Sequence, residues 1–184
     1  MADAAYIQFV ADVEEADAKR LLHAIHDAVA DGARQLTLLI SSVGGNTYWG
    51  TTLHNVLRGL PCEVTTFNIG HADSIAAAVF SAGRRRLCVP HAKFLLHRAS
   101  ALTEPEGHGT VSEERLEERL GSVRADTRNL ASILASTTGR SLDDVLEDLH
   151  KRRVLDAREA LAYGLVHEIR EELYPAGVDV DLIT

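Results

Sequence analysis

Apolar residues in this chain fall into two rhythms that take turns, short continuous runs and helical three–four repeats. Residues 7–10 form a short apolar run that predicts a strand. Leu21, Leu22, Ile25, Ala28 and Val29 then recur at helical spacing, and Gly32 closes that helix. Residues 36–40 (LTLLI) are continuously apolar, as expected of a strand buried on both faces of a parallel sheet. Ser41-Ser42-Val43-Gly44-Gly45-Asn46 turns into a helix predicted over residues 47–57. Strands are predicted over 63–69, 87–89 and 94–96, with a helix over 74–82 among them. Such alternation implies an α/β fold with a mostly parallel sheet and right-handed crossovers.

After His97 the pattern changes. Residues 98–110 are polar, contain Pro and Gly, and predict a loop or irregular projection. A long helix is expected over 111–137, opened by a capping box at Ser112-Glu113-Glu114-Arg115 or a neighbour. Along it Leu116, Leu120, Val123, Thr127, Leu130 and Leu134 make a narrow seam, suited either to its own core or to another subunit. Helices are expected over 142–149 and 157–163, the latter capped by Asp156 with Glu159 and ended by Gly164. A last strand is expected over 165–169.

The length of 184 residues implies a single domain over 1–184. A net charge of −8 argues against nucleic acid or an anionic membrane as the main partner. No apolar run is long enough to span a bilayer, and the first residues carry no leader-like pattern. Cys62 and Cys88 do not make a disulfide framework, and a reducing cytoplasm suits them. The nine His and two Cys show no ligand-like spacing, so neither a metal nor a cofactor is expected.

Chemistry concentrates at two places. Gly70-His71-Ala72-Asp73-Ser74-Ile75 is a small-residue corner between a strand and a helix, and Leu95-Leu96-His97 ends a strand. A serine hydroxyl becomes a useful nucleophile when an imidazole takes its proton, so Ser74 and His97 suggest acyl transfer. Gly44-Gly45 allows close backbone approach, as a main-chain binding edge or an oxyanion donor requires. Asp73 reads most simply as a cap or surface charge, and His71 and His54 have no evident partners.

The order of these motifs resembles the proteolytic subunit of the Clp protease (ClpP), a family of serine peptidases. Residues 40–45 (ISSVGG) are similar to its I-N-S-P-G-G, and residues 70–75 (GHADSI) to G-Q-A-A-S-M. Residues 82–90 (AGRRRLCVP), then Leu95-Leu96-His97, are similar to A-G-x-K-R-x-x-L-P and M-I-H. Residues 138–142 (TGRSL) resemble T-G-Q-S-L, and residues 155–160 (LDAREA) with 163–166 (YGLV) resemble L-S-A-x-E-A and Y-G-L-V. The resemblance implies a ClpP/crotonase-like spiral of strand–helix units with a protruding handle helix, the handle segment covering about 98–137. It implies Ser74 as nucleophile, His97 as general base, and the backbone N–H groups of Gly45 and Ile75 as the oxyanion hole. Gly44 and Asn46 would bind substrate backbone as an added strand. The substrate would be peptide or unfolded protein, and the handle would join rings of a homo-oligomer.

Departures accompany the likeness. Counted from Thr138-Gly139, the family's third triad residue, an Asp, falls at Arg152. Asp148 is an alternative acid, Asp156 is expected to cap its helix, and a water or a backbone carbonyl could orient His97 instead. About six residues precede the first expected strand, which argues against an AAA+ unfoldase as partner. The family's His-Gln-Pro reads His97-Arg98-Ala99 here, and its Pro-Gly-Gly reads Val43-Gly44-Gly45. Three functions stay open: a Clp-type serine endopeptidase, a catalytically impaired ring subunit, and a crotonase-like acyl-CoA enzyme.

Overall fold

A computed structural model describes residues 3–100 and 112–184. In chain order the elements are β1 (Ala4–Val10), α1 (Glu15–Ala30), β2 (Gln35–Ser42), α2 (Thr47–Gly59), β3 (Glu63–Ala72) and α3 (Ala76–Phe80). They continue with β4 (Arg85–Cys88), β5 (Lys93–Leu96), α4 (Glu113–Thr138), α5 (Leu142–His150), β6 (Arg153–Asp156), α6 (Ala157–Tyr163), β7 (Glu168–Ile169) and β8 (Asp181–Ile183). Most of the projection expected over 98–110 lies outside the described residues.

The main path of the sheet runs β6-β5-β3-β2-β1-β8, and β4 pairs with β3 and β7. Every pairing is parallel except β5 with β6. β3 is the branch point. Its Thr65–Asn68 stretch pairs with β4, and further on His71 pairs with Lys93 of β5. One long strand thus serves two neighbours in succession, which turns a flat sheet into a spiral. The Asn68 amide spans the split, donating to the Lys93 carbonyl at 2.9 Å while its oxygen accepts the Gly70 N–H.

Two strands went unforeseen. β6 carries one fully buried apolar residue, Leu155, in a charged stretch, so no run or alternation marks it. β8 is three residues long and is a strand only because β1 offers it an edge. α3 is shorter than the 74–82 expectation because Ser74 and Ile75 form the turn that precedes it. α4 matches its expected span and is capped by Ser112. Its seam splits, however. Thr127, Leu130 and Leu134 are buried, whereas Leu116 and Leu120 stay 55% and 49% exposed.

Alternation of buried strands with amphipathic helices places one large core between the sheet and α1, α2, α3, α4 and α5. α3 is buried over its whole length, and the Phe80 and Phe94 rings meet edge-to-face at 5.1 Å. Beside the core, Asp148 takes a hydrogen bond from the Tyr163 hydroxyl at 2.8 Å and an ion pair from Arg153 at 2.9 Å. Burial and the Asp148 carboxylate push the Tyr163 phenol upward, so it remains a donor. Asp148→Ala leaves that hydroxyl without its acceptor, and urea unfolding should show a loss of about 1–3 kcal/mol. Activity per folded molecule should stay unchanged.

Candidate active site

Ser74 sits on a strained corner. Its φ is +54°, a left-handed conformation that non-glycine residues rarely adopt and that lifts the side chain out of the strand-to-helix path. Two hydrogen bonds clasp Leu95 of β5 against this corner. The Ser74 N–H donates to the Leu95 carbonyl at 2.7 Å, and the Leu95 N–H donates to Asp73 Oδ1 at 2.8 Å. His97 follows two residues beyond Leu95. The fold therefore brings together the corner and the strand end that carry the expected nucleophile and base.

Asp73 differs from its expected role as a cap or surface charge. It is buried, its N–H donates to the Ser42 carbonyl at 3.0 Å, and its carboxylate holds β5. Its other oxygen lies 3.3 Å from Nδ1 of exposed His71. An acid directly before the serine, among alanines, was the one available signal of this role.

Gly44 explains the glycine pair. At φ +99°, an added Cβ would lie 2.8 Å from Ser74 Cβ and 2.9 Å from the Asp73 carbonyl oxygen. Only a bare Cα fits between this turn and the corner. Behind it, Gly50 of α2 leaves room for Ile75, whose Cγ1 would be 2.3 Å from a Cβ there.

Gly44 and Asn46, the residues expected to bind substrate backbone, have internal hydrogen-bond partners. The Gly44 carbonyl accepts the Val13 N–H at 2.7 Å, and the Asn46 N–H donates to the Val13 carbonyl at 2.8 Å. The Gly44 N–H reaches Ser42 Oγ, and the Asn46 side chain caps α2 through Tyr48 and Trp49. These groups are already paired, because Val13 makes an isolated parallel bridge with that edge. The N–H groups of Gly45 and Ile75, by contrast, have no hydrogen-bond partner among the described residues. Both donors are thus free of internal partners.

The His97 ring is held by the main chain. Its Nδ1 lies 2.8 Å from the Arg98 carbonyl oxygen, which can only accept, so Nδ1 carries the proton and Nε2 is left as acceptor. That is the tautomer a general base needs. No hydrogen bond joins the ring to Ser74 or to a carboxylate among the described residues. Asp148 is spent on Tyr163 and Arg153, and Asp156 caps α6 with Glu159 in the expected capping box. Arg152 precedes β6 in the turn after α5, where its N–H donates to the Leu149 carbonyl at 3.3 Å and its φ is +54°.

Other reactive groups stand apart. Burial pushes the Cys88 thiol up to about 11 and raises Cys62 as well, so neither offers a thiolate near neutrality. His54 Nδ1 donates to the Ala78 carbonyl at 2.7 Å, and burial holds its basicity down. No group of three metal-ligating side chains occurs among the described residues.

A sequence model described as Clp protease matches residues 1–172. The chain belongs to the Clp protease family. It is 29% identical over 141 residues to the "ATP-dependent Clp protease proteolytic subunit 2" of Chlamydia trachomatis serovar D, covering 76% of this chain. It is 33% identical over 148 residues to the "ATP-dependent Clp protease proteolytic subunit 1" of Leifsonia xyli subsp. xyli, covering 78% of this chain and 71% of that protein. The match to the chlamydial subunit spans 66% of that protein's length. Among solved structures, a ClpP1 mutant from Listeria monocytogenes superposes with a TM-score of 0.81 over 91% of each chain, at 18% identity, a likeness of fold. The family match favours the Clp-type reading over the crotonase-like one.

Gly44→Ala would force the turn and the serine corner apart. Peptidase turnover should fall about a hundredfold or more, as for a misplacement of about 1 Å at a reacting centre. Circular dichroism should show the helices retained.

Proposed function

We propose that the chain is a Clp-type serine endopeptidase that cleaves peptides or unfolded protein through an acyl-enzyme. The observation that carries the reading is the clasp of Leu95 by Ser74 and Asp73, beside unpaired N–H groups at Gly45 and Ile75. Ser74 Oγ attacks the scissile carbonyl while its proton passes to His97 Nε2. The oxyanion that forms takes hydrogen bonds from Gly45 and Ile75. As the C–N bond breaks, the imidazolium returns that proton to the leaving amine, and the acyl group remains on Ser74. Water, deprotonated by His97, then attacks the ester and releases the acid.

The working form is a homo-oligomer. The first turns of α4 leave Leu116 and Leu120 half exposed on the protruding helix, a seam fit for a second copy. Two buried free cysteines suit a reducing cytoplasm, and no described helix is long and apolar enough to cross a membrane. A weaker second reading, an assembled subunit with impaired chemistry, draws on Arg152 at the position where the family keeps its triad acid.

A fluorophosphonate probe should label the assembled protein at Ser74, and Ser74→Ala should abolish the labelling. A folded oligomer that takes up no probe decides for the impaired subunit. Sedimentation should show a particle many times the 20.0 kDa chain, shrinking on Leu120→Glu. Arg152→Asp places a carboxylate where the left-handed backbone tolerates it. Turnover should rise by about tenfold or more, since a carbonyl holds the tautomer but offsets less of the imidazolium charge.

A further inference from the structure

Two adjacent residues in the middle of α4 reach the two halves of the site. Thr127 is buried, and its Oγ1 accepts the Ala99 N–H at 3.1 Å. That N–H belongs to the same planar peptide as the Arg98 carbonyl, which lies 2.8 Å from His97 Nδ1. In a trans peptide the N–H and C=O point in opposite directions. Fixing one end on Thr127 therefore aims the other at the imidazole. The preceding residue, Asp126, accepts the Thr47 hydroxyl at 2.8 Å through Oδ2. Thr47 is the first residue of α2, two positions after Gly45, so this bond anchors the far end of the oxyanion turn.

We propose that Thr127 and Asp126 are positioning residues of the peptidase site, Thr127 setting the tautomer and aim of His97 through the Arg98–Ala99 peptide, and Asp126 steadying the Gly45 turn through Thr47. The inference rests on the assignment of Ser74 and His97 given above. It accounts for how an imidazole with no carboxylate partner among the described residues is still held in the basic tautomer. The orienting group is the main chain, and the main chain is in turn held by a side chain on α4.

The test is steady-state hydrolysis of a short fluorogenic peptide amide by the assembled full-length protein. Thr127→Val keeps the shape and removes the acceptor, and kcat should fall about tenfold or more with KM within about twofold. Thr127→Ser keeps the hydroxyl and should restore kcat to within about threefold of wild type. Asp126→Ala and Thr47→Val should each lower kcat, and the double variant should fall no further than either, as for one shared bond. Sedimentation and thermal midpoint of each variant separate loss of assembly from loss of aim. Wild-type kcat in a folded Thr127→Val oligomer overturns the role of Thr127, as does failure of Thr127→Ser to restore it. Additive losses at Asp126 and Thr47 overturn the second arm. Should the wild type itself neither hydrolyse peptide nor react with the fluorophosphonate, the assignment of Ser74 and His97 fails instead, and that result is distinct from either.

Discussion

Everything at the site depends on how Leu95 is gripped. Its carbonyl takes the Ser74 N–H and its N–H reaches the Asp73 carboxylate, so the strand ending in His97 is registered to the serine corner at one residue. The grip is possible because β3 outruns β4. Past Asn68 its edge is free, and β5 takes it over at His71. Without that hand-over, the corner and the histidine would belong to different parts of the sheet. A buried carboxylate is costly to strand, and here it has a donor on each oxygen. Asp73 is thus committed to the architecture.

The site replaces a charge with a dipole. A triad carboxylate both selects the imidazole tautomer and stabilises the imidazolium, two separable tasks. The Arg98 carbonyl performs the first, because an acceptor-only atom at 2.8 Å from Nδ1 leaves one arrangement of the proton. It contributes less to the second. The nearby acids are occupied elsewhere, with Asp148 bonded to Tyr163 and Arg153 and Asp156 at the start of α6. Arg152, at the position that aligns with the family's acid, is a cation on a left-handed residue. Under the proposed assignment this is a Ser–His site whose base is oriented by backbone, in a family whose relatives are named proteolytic subunits.

Elements with strong internal periodicity were legible from the chain alone. β2, α2, α4, α5 and α6 fall where their patterns put them, and the Asp156–Glu159 capping box forms as its spacing requires. β6 and β8 were not legible, since their strand character comes from a partner edge and not from their own residues. Site residues divide in the same way. Ser74 and His97 announced themselves through residue type and flanking motif. The roles of Val13, Asp73 and Thr127 depend on neighbours 31, 22 and 28 positions away, a separation at which local pattern carries no information.

Chemical identity and local conformation were decided by the residues in order. Which side chains can attack, accept or donate, where helices start and stop, and which strands lie buried all follow from composition and short-range spacing. What the tertiary structure alone decided is which of those groups are already taken. Val13 occupies the edge at Gly44 and Asn46, Tyr163 and Arg153 occupy Asp148, and a main-chain carbonyl occupies one nitrogen of His97. Hydrogen-bonding capacity is finite, and a group's availability depends on every neighbour that folding brings within 3 Å or so of it.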